Sequence, residues 1–204
     1  MIDAALAPLQ RRLLAAPARG LARLGLHADQ VTLAGFATGA LALPALWLQA
    51  YGLALLLLAL NRLADGLDGA LARLQGPTDR GAFLDIALDF LFYALFPLGF
   101  ALADPAQNAL PAAVLIASFI GTGSSFLAFA SIAAQRGLRA SAYPAKGIYY
   151  LGGLTEGAET IGVFALMCLF PQAFPTLALI FAAACFLTTA LRWHQGWRAF
   201  TDPR

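Results

Sequence analysis

The chain has 204 residues, of which 60% are apolar and only 12% are charged, and its mean hydropathy is +0.73. An average soluble domain is about half apolar and about a quarter charged, so this composition excludes a water-soluble monomer, a disordered chain and a disulfide-rich secreted scaffold. The net charge of +2 is too small for a protein that binds nucleic acid through its phosphates.

The first 30 residues are predicted to form a cytoplasmic segment on the membrane surface. Its leucines fall on one face of a helix, with two arginines close by, as in an amphipathic surface helix. These residues are Leu6, Leu9, Leu13, Leu14, Arg11 and Arg12. Pro8 and Pro17 are expected to break this helix into pieces. A loose basic tail is the alternative interpretation.

Residues 31–204 are predicted to form one all-α transmembrane domain of six helices. A helix that crosses the hydrocarbon core needs about 20 mostly apolar residues. Six segments meet this condition: 31–50, 53–73, 81–103, 110–134, 148–170 and 174–191.

The basic residues predict the orientation of these spans. All Lys and Arg residues except Arg62 lie in the N-terminal segment, the junction of spans two and three, the junction of spans four and five, or the tail. Because cytoplasmic loops are enriched in basic residues, both termini are predicted to be cytoplasmic.

Several carboxylates lie inside the predicted spans, where a charge is costly and is usually functional. Asp65 and Asp68 share one side of the second helix, and Asp85 and Asp89 lie one turn apart on the third. The short linker 74–80 predicts antiparallel neighbours, so the four carboxylates are expected to converge. Such an oxygen-only set favours Mg²⁺ or Mn²⁺. Neutralised or snorkelling carboxyl groups at helix ends are the alternative.

Two glutamates and two glycines are also considered in relation to the predicted carboxylate site. Glu156 and Glu159 are expected at a similar depth in the fifth helix, within one cytoplasm-facing cavity. Gly69 shares the aspartate face, which favours a ligand lying against bare backbone. Gly66 is instead interpreted as a helix-packing position.

The stretch 65–73, followed by 81–89, resembles the signature of the CDP-alcohol phosphotransferase (CDP-alcohol phosphatidyltransferase) family. The family pattern is D-x2-D-G-x2-A-R and then G-x3-D-x3-D, and all of its fixed positions are present. The gap, residues 74–80, is slightly shorter than in the family. Six spans, cytoplasmic termini and an N-terminal surface helix also match the family.

The resemblance implies an enzyme of phospholipid biosynthesis in the bacterial inner (plasma) membrane, with its active site facing the cytoplasm. Members transfer a substituted phosphate (phosphatidyl) group from a CDP-linked lipid, such as CDP-diacylglycerol, to an acceptor alcohol and release CMP. The resemblance further implies a homodimer and two Mg²⁺ or Mn²⁺ ions. By carry-over, Asp65, Asp68 and Asp85 hold the ions, while Asp89 completes the second site and acts as general base.

The resemblance also implies a nucleotide site beside the ions. Gly69, Ala72 and Gly81 would leave room for the cytidine, and Arg73 would contact phosphate or serve as a plain interfacial arginine. Thr32 stands in a stretch similar to the family's P-N-x-x-T, although the Pro and Asn are absent. Asp79 would either cap the third helix or touch the cytidine.

The acceptor is less defined by the sequence. Relatives that use inositol phosphate carry an E-R-P-E-R-like run, whereas residues 156–160 read Glu-Gly-Ala-Glu-Thr. The missing arginines argue against a phosphorylated acceptor unless Arg136, Arg139 and Lys146 replace them. Glu156 and Glu159 would orient a polyol or amine, or pair with Arg62.

Two functions of other classes remain open at this stage. Asp-rich motifs also occur in membrane prenyltransferases, although those normally have more helices and a second motif. A divalent-cation transporter would also explain buried carboxylates, but the chain lacks the internal repeats typical of transporters.

Overall fold

The structure is a computed structural model, and it describes residues 2–137 and 153–201. Within these ranges all regular secondary structure is helical, as predicted. The helices are α1 (Ile2–Arg23), α2 (Ala28–Ala40), α3 (Ala42–Trp47), α4 (Tyr51–Gln75), α5 (Asp79–Ala103), α6 (Pro105–Gln135), α7 (Gly157–Leu169) and α8 (Phe174–Ala199), with a 3₁₀ turn (Pro171–Ala173) between α7 and α8.

Four segments of the described chain are long and apolar enough to cross a membrane: Ala28–Trp47, Asp79–Ala103, Pro105–Gln135 and Pro171–Ala199. Helix α4 has 25 residues and therefore the necessary length, but its apolar run is interrupted by Arg62, Asp65 and Asp68. Helix α7 is apolar and shorter, with 13 residues. The predicted spans 53–73, 81–103, 110–134 and 174–191 all lie inside observed helices.

Proline interrupts the predicted first span, but it does not interrupt the N-terminal helix. The predicted first span is divided into α2 and α3 at Leu41, because Pro44 has no N–H for the carbonyl of Ala40 and its ring crowds that carbonyl. Helix α1, in contrast, runs continuously through Pro8 and Pro17, so the prediction of a broken helix is wrong. Each proline removes one backbone hydrogen bond, and the packing of α1 against α4 supports the rest.

The contact between α1 and α4 confirms the packing interpretation of Gly66. A Cβ atom added at Gly66 would lie 2.5 Å from Cδ1 of Leu14. Glycine therefore leaves the space that the Leu14 side chain occupies where the two helices pack.

The fifth predicted span differs at its beginning. Residues 148–152 lie outside the described residues, residues 153–156 are not helical, and α7 begins at Gly157 with Glu156 as its N-cap. The backbone N–H of Glu156 donates to Oε2 of Glu159 at 3.2 Å, which completes a capping box. The prediction that both glutamates lie deep within one continuous helix is therefore wrong.

Helices α2 and α3 pack against both α4 and α5. Glycine makes the approach possible, because a Cβ atom at Gly35 would lie 2.6 Å from Cβ of Ala64. Nδ2 of Asn61 then donates to the carbonyl of Gly35 at 2.9 Å. The two aspartate helices consequently face each other across a pocket, and their carboxylates converge there as expected.

An aromatic core adjoins this pocket through Phe92. Phe96 stacks on Phe164 with ring centroids 4.3 Å apart, and Phe100 stacks on Phe174 at 4.4 Å. Phe92 is buried against Phe96 and also lines the pocket. The core thus fixes the relative positions of the helices that carry the polar side chains.

Candidate active site

The structure brings the four predicted metal-binding aspartates into one pocket between α2, α4 and α5. Asp65 and Asp68 come from α4, and Asp85 and Asp89 come from α5. The pocket is also lined by Thr32, Gly35, Phe36, Asn61, Arg62, Leu88 and Phe92. The helical spacing of three and four residues explains why each pair points the same way.

Three of these aspartates form a tight cluster. One carboxylate oxygen from each of Asp65, Asp68 and Asp85 lies within 4.8 Å of the others. Asp68 is buried, whereas Asp85 is exposed. Three carboxylates at this separation repel one another, and a hard divalent cation such as Mg²⁺ or Mn²⁺ relieves that repulsion with the oxygen ligands it prefers. The donor set therefore fits a divalent metal.

Asp89 lies beside this cluster and forms an ion pair with Arg62. Nη2 of Arg62 is 2.9 Å from Oδ1 of Asp89, and Nη1 is 3.8 Å from Oδ2 of Asp65. From the sequence, Arg62 is expected only as a partner for Glu156 and Glu159. Its i, i+3 spacing from Asp65, within a predicted span, was the available signal for the contact with Asp65.

Most residues predicted to bind the nucleotide lie near the end of α4 or the start of α5, whereas Thr32 lies on α2 and lines the aspartate pocket. The space above Gly69 is open apart from Arg73, whose Nη1 would be 3.5 Å from an added Cβ atom. Ala72 is half-buried and Arg73 is exposed in the last turn of α4. The hydroxyl of Thr32 donates to the carbonyl of Ala28 at 3.1 Å.

The start of α5 is capped by Thr78 and not by Asp79. The Thr78 hydroxyl accepts a hydrogen bond from the backbone N–H of Gly81 at 3.0 Å, while Asp79 is exposed in the first turn. A Cβ atom at Gly81 would lie 3.1 Å from Oδ1 of Asp29. Asp29 also accepts a hydrogen bond from Nε of Arg80 at 2.6 Å, which ties the start of α2 to the start of α5.

None of the described residues predicted to bind the acceptor lines this pocket. Arg136, Glu156 and Glu159 are described but are absent from its lining, and their role in acceptor binding stays a prediction. Arg136 ends α6, and its guanidinium lies 5.3 Å from the ring of Phe200. Arg139 and Lys146 lie outside the described residues.

A buried arginine on α8 was missed by the sequence analysis, which assigned it to the basic tail. Arg192 is only 8% exposed, and its Nη1 donates to the carbonyl of Thr122 at 2.9 Å. Thr188 lies one turn earlier on α8, and its hydroxyl is 3.0 Å from that of Thr155. The recurrence of polar residues at positions 188, 189 and 192, one face of a helix, was the available signal.

Comparison with known proteins places the pocket in a family. A sequence model of the CDP-alcohol phosphatidyltransferase family matches residues 26–197. The chain is 55% identical over 197 residues to the inner membrane protein YnjF of Escherichia coli, covering 97% of this chain and 96% of YnjF. It is 38% identical over 101 residues to the archaetidylinositol phosphate synthase of Pyrococcus horikoshii, covering 49% of this chain and 54% of that protein.

Solved structures share the fold. The phosphatidylinositol phosphate synthase PgsA1 of Mycobacterium tuberculosis with CDP-DAG bound superposes with a TM-score of 0.74 at 24% identity, covering 91% of this chain and 94% of that one. The same enzyme in complex with manganese and citrate gives a TM-score of 0.71 at 24% identity, with coverages of 90% and 88%.

The apolar helices and the inner-membrane relative together identify an integral membrane protein. The matched region contains the whole aspartate pocket, and it favours phosphatidyl transfer over prenyl transfer or cation transport. The chain therefore belongs to the CDP-alcohol phosphatidyltransferase family and is a phosphotransferase enzyme.

Proposed function

We propose that the chain transfers a substituted phosphate (phosphatidyl) group from a CDP-linked lipid such as CDP-diacylglycerol to an acceptor alcohol, with release of CMP. The observation that carries this proposal is the pocket in which four aspartates from α4 and α5 meet, inside a region that matches the family. The CDP-DAG held by a structural neighbour supports the choice of donor.

The aspartates would hold two divalent ions, Mg²⁺ or Mn²⁺. Asp65, Asp68 and Asp85 supply the oxygen cluster for the first, and Asp89 would complete the second site. When bound, such ions neutralise charge on the diphosphate and on the departing CMP. The manganese complex of the neighbouring fold supports a divalent cofactor.

Asp89 is proposed as the general base. In the reaction, the acceptor oxygen bonds to the phosphorus of the phosphatidyl group, and the bond from that phosphorus to CMP breaks with its electrons leaving on CMP. The hydroxyl proton passes to a carboxylate oxygen of Asp89. Asp89 suits this role because it lies on the same face of α5 as Asp85, one turn away.

The nucleotide is proposed to bind where α4 ends and α5 begins. Gly69 and Gly81 have no side chain to fill this space, and Ala72 fills little of it. Arg73 would contact phosphate, with Thr32 and Asp79 at the edges of the site. The open space above Gly69 supports this assignment.

For the acceptor, the proposed contacts are Arg136, Arg139, Lys146, Glu156 and Glu159. The identity of residues 156–160 favours a polyol or amino alcohol, whereas the relative from Pyrococcus horikoshii, an archaetidylinositol phosphate synthase, favours a phosphorylated inositol. An acceptor series must therefore include both kinds.

We also propose the arrangement in the membrane. Residues 1–30 would lie on the cytoplasmic surface, and residues 31–204 would form the six-span catalytic domain, with both termini and the active site on the cytoplasmic side of a bacterial inner membrane. The basic residues and the exposed Trp193 and Trp197 near the end of α8 support this orientation. A homodimer is expected from the family resemblance.

The direct test is CMP release by the purified protein with CDP-diacylglycerol, Mn²⁺ and a series of acceptors. The series contains polyols, amino alcohols and their phosphorylated forms, and reactions without acceptor or without metal are controls. We expect CMP only when the donor, the metal and one acceptor class are all present. Folded protein that binds Mn²⁺ but releases no CMP with any acceptor would contradict the proposal.

A further inference from the structure

Arg62 places a permanent positive charge inside the candidate metal site. The guanidinium stays protonated at all relevant pH values, and its side chain is only 18% exposed. Nη2 lies 2.9 Å from Asp89, and Nη1 lies 3.8 Å from Asp65. Arg62 therefore opposes the charge of Asp89 at short range and that of Asp65 from farther away.

Other residues hold this arginine in position. Oδ1 of Asn61 accepts hydrogen bonds from Nε and Nη2 of Arg62 at 2.8 and 2.6 Å, and Asn61 is itself buried and bonded to the carbonyl of Gly35. The guanidinium also lies 5.1 Å from the ring of Phe92 and 5.8 Å from that of Tyr93, within the range of cation–π attraction. Helices α2, α4 and α5 thus all contribute to its position.

This arrangement divides the four carboxylates unequally. Asp65, Asp68 and Asp85 form the tight oxygen cluster, whereas Asp89 makes the shorter of the two ion pairs with Arg62. A divalent ion that approached Asp89 would meet the repulsion of the guanidinium at close range. It would also have to compete with a charge-assisted hydrogen bond.

We propose that Arg62 is a tethered cation that competes with a divalent ion for Asp89. One ion then binds tightly at Asp65, Asp68 and Asp85, and a second binds weakly because Arg62 must first release Asp89. The inference rests on the metal site of the proposed function, but it does not depend on the donor, the acceptor or turnover.

The test is Mn²⁺ binding to the purified full chain without substrate, followed by the electron paramagnetic resonance signal of free Mn²⁺. Wild type is expected to bind one ion per chain tightly and a second at least about tenfold more weakly. Arg62→Gln removes the competing charge, and the dissociation constant of the second ion should fall about tenfold or more. Arg198→Gln, which removes an exposed arginine outside the pocket, should bind as wild type does.

Two further variants separate competition at Asp89 from a general change in charge. In the double variant Asp89→Asn with Arg62→Gln, the affinity for the second Mn²⁺ ion should no longer exceed that of wild type, while the first ion should still bind tightly. Arg62→Lys keeps the charge but cannot bridge Asn61 and Asp89 as a guanidinium does, so its second ion should bind with intermediate affinity. This variant decides the matter if Arg62→Gln does not fold.

Two results would overturn the inference. One is a wild-type affinity for the second Mn²⁺ ion in the Arg62 variants, and the other is a higher affinity that persists in the double variant without the Asp89 charge. These outcomes leave CMP release untouched as a separate question. Wild type that binds no Mn²⁺ would instead contradict the metal site on which the proposed function also depends.

Discussion

At the scale of single residues, Asp85 offers the cleanest test of the carboxylate cluster, because it is exposed and its replacement disturbs little packing. Asp85→Asn keeps the shape but removes the charge and one of the oxygen ligands. We expect Mn²⁺ affinity to fall at least about tenfold and CMP release to be abolished. Metal titration and the CMP assay measure the two effects separately.

The matched control is Asp104→Asn at the start of α6. Asp104 caps that helix by accepting from the backbone N–H of Gln107 at 3.2 Å, and asparagine caps about as well as aspartate. Its metal affinity and activity should equal those of wild type. Wild-type Mn²⁺ affinity in Asp85→Asn would show that the cluster does not bind the ion.

Asp89 should behave differently from the cluster if it acts as the base. Asp89→Asn is expected to bind CDP-diacylglycerol nearly as wild type does, while turnover is lost because the amide cannot accept the acceptor proton. Donor binding by calorimetry and CMP release by chromatography distinguish these effects. A large loss of donor affinity would argue against a role confined to proton transfer.

At the scale of helices, Gly35 allows α2 to pack closely against α4. Gly35→Ala would force Cβ to within 2.6 Å of Ala64, and overpacking of this kind lowers the free energy of unfolding by about 1–3 kcal/mol. The change should also loosen the bond from Asn61 to the carbonyl of Gly35. Thermal unfolding in detergent should show a lower midpoint.

Gly162→Ala is the control on α7. No atom lies within 4 Å of a Cβ added there, and alanine favours a helix over glycine by up to about 1 kcal/mol. Its midpoint should be equal to or above that of wild type. Equal destabilisation by both substitutions would contradict the close packing of α2 and α4.

The helices differ in how far the sequence predicted them. Long apolar runs located α4, α5, α6 and α8, because burial in lipid demands length and apolarity. Hydropathy did not reveal the division at Leu41, which depends on the backbone of Pro44. Hydropathy also placed Glu156 inside the fifth span, whereas Glu156 is the N-cap of α7. An apolar run indicates which residues are buried, but it does not indicate where helical hydrogen bonding begins.

For the candidate site, too, the sequence predicted the local arrangement of side chains on each helix but not a contact between helices. The spacing of Asp65 and Asp68, and of Asp85 and Asp89, is a local property of one helix, so sequence was sufficient to put each pair on a common face. The pairing of Arg62 with Asp89 joins residues 27 positions apart. It depends on how α2 packs against both α4 and α5, which no local pattern records.

At the scale of the whole molecule, the predicted topology can be tested with introduced cysteines. The native Cys168 and Cys185 are buried and should react slowly. A membrane-impermeant maleimide should label Gln107→Cys in intact cells, because this exposed residue follows the proposed outer end of α5. Arg198→Cys should react only after the cells are permeabilised, and the reverse pattern would contradict cytoplasmic termini.

The measurement that tests the central claim most directly is joint detection of CMP and the new phosphatidyl lipid, made from CDP-diacylglycerol and Mn²⁺ by purified wild type and by Asp85→Asn. The account predicts equal amounts of the two products from wild type with the matching acceptor, and neither product from the variant. Equal production by both proteins, or CMP without a new lipid for every acceptor, would contradict phosphatidyl transfer at the aspartate pocket.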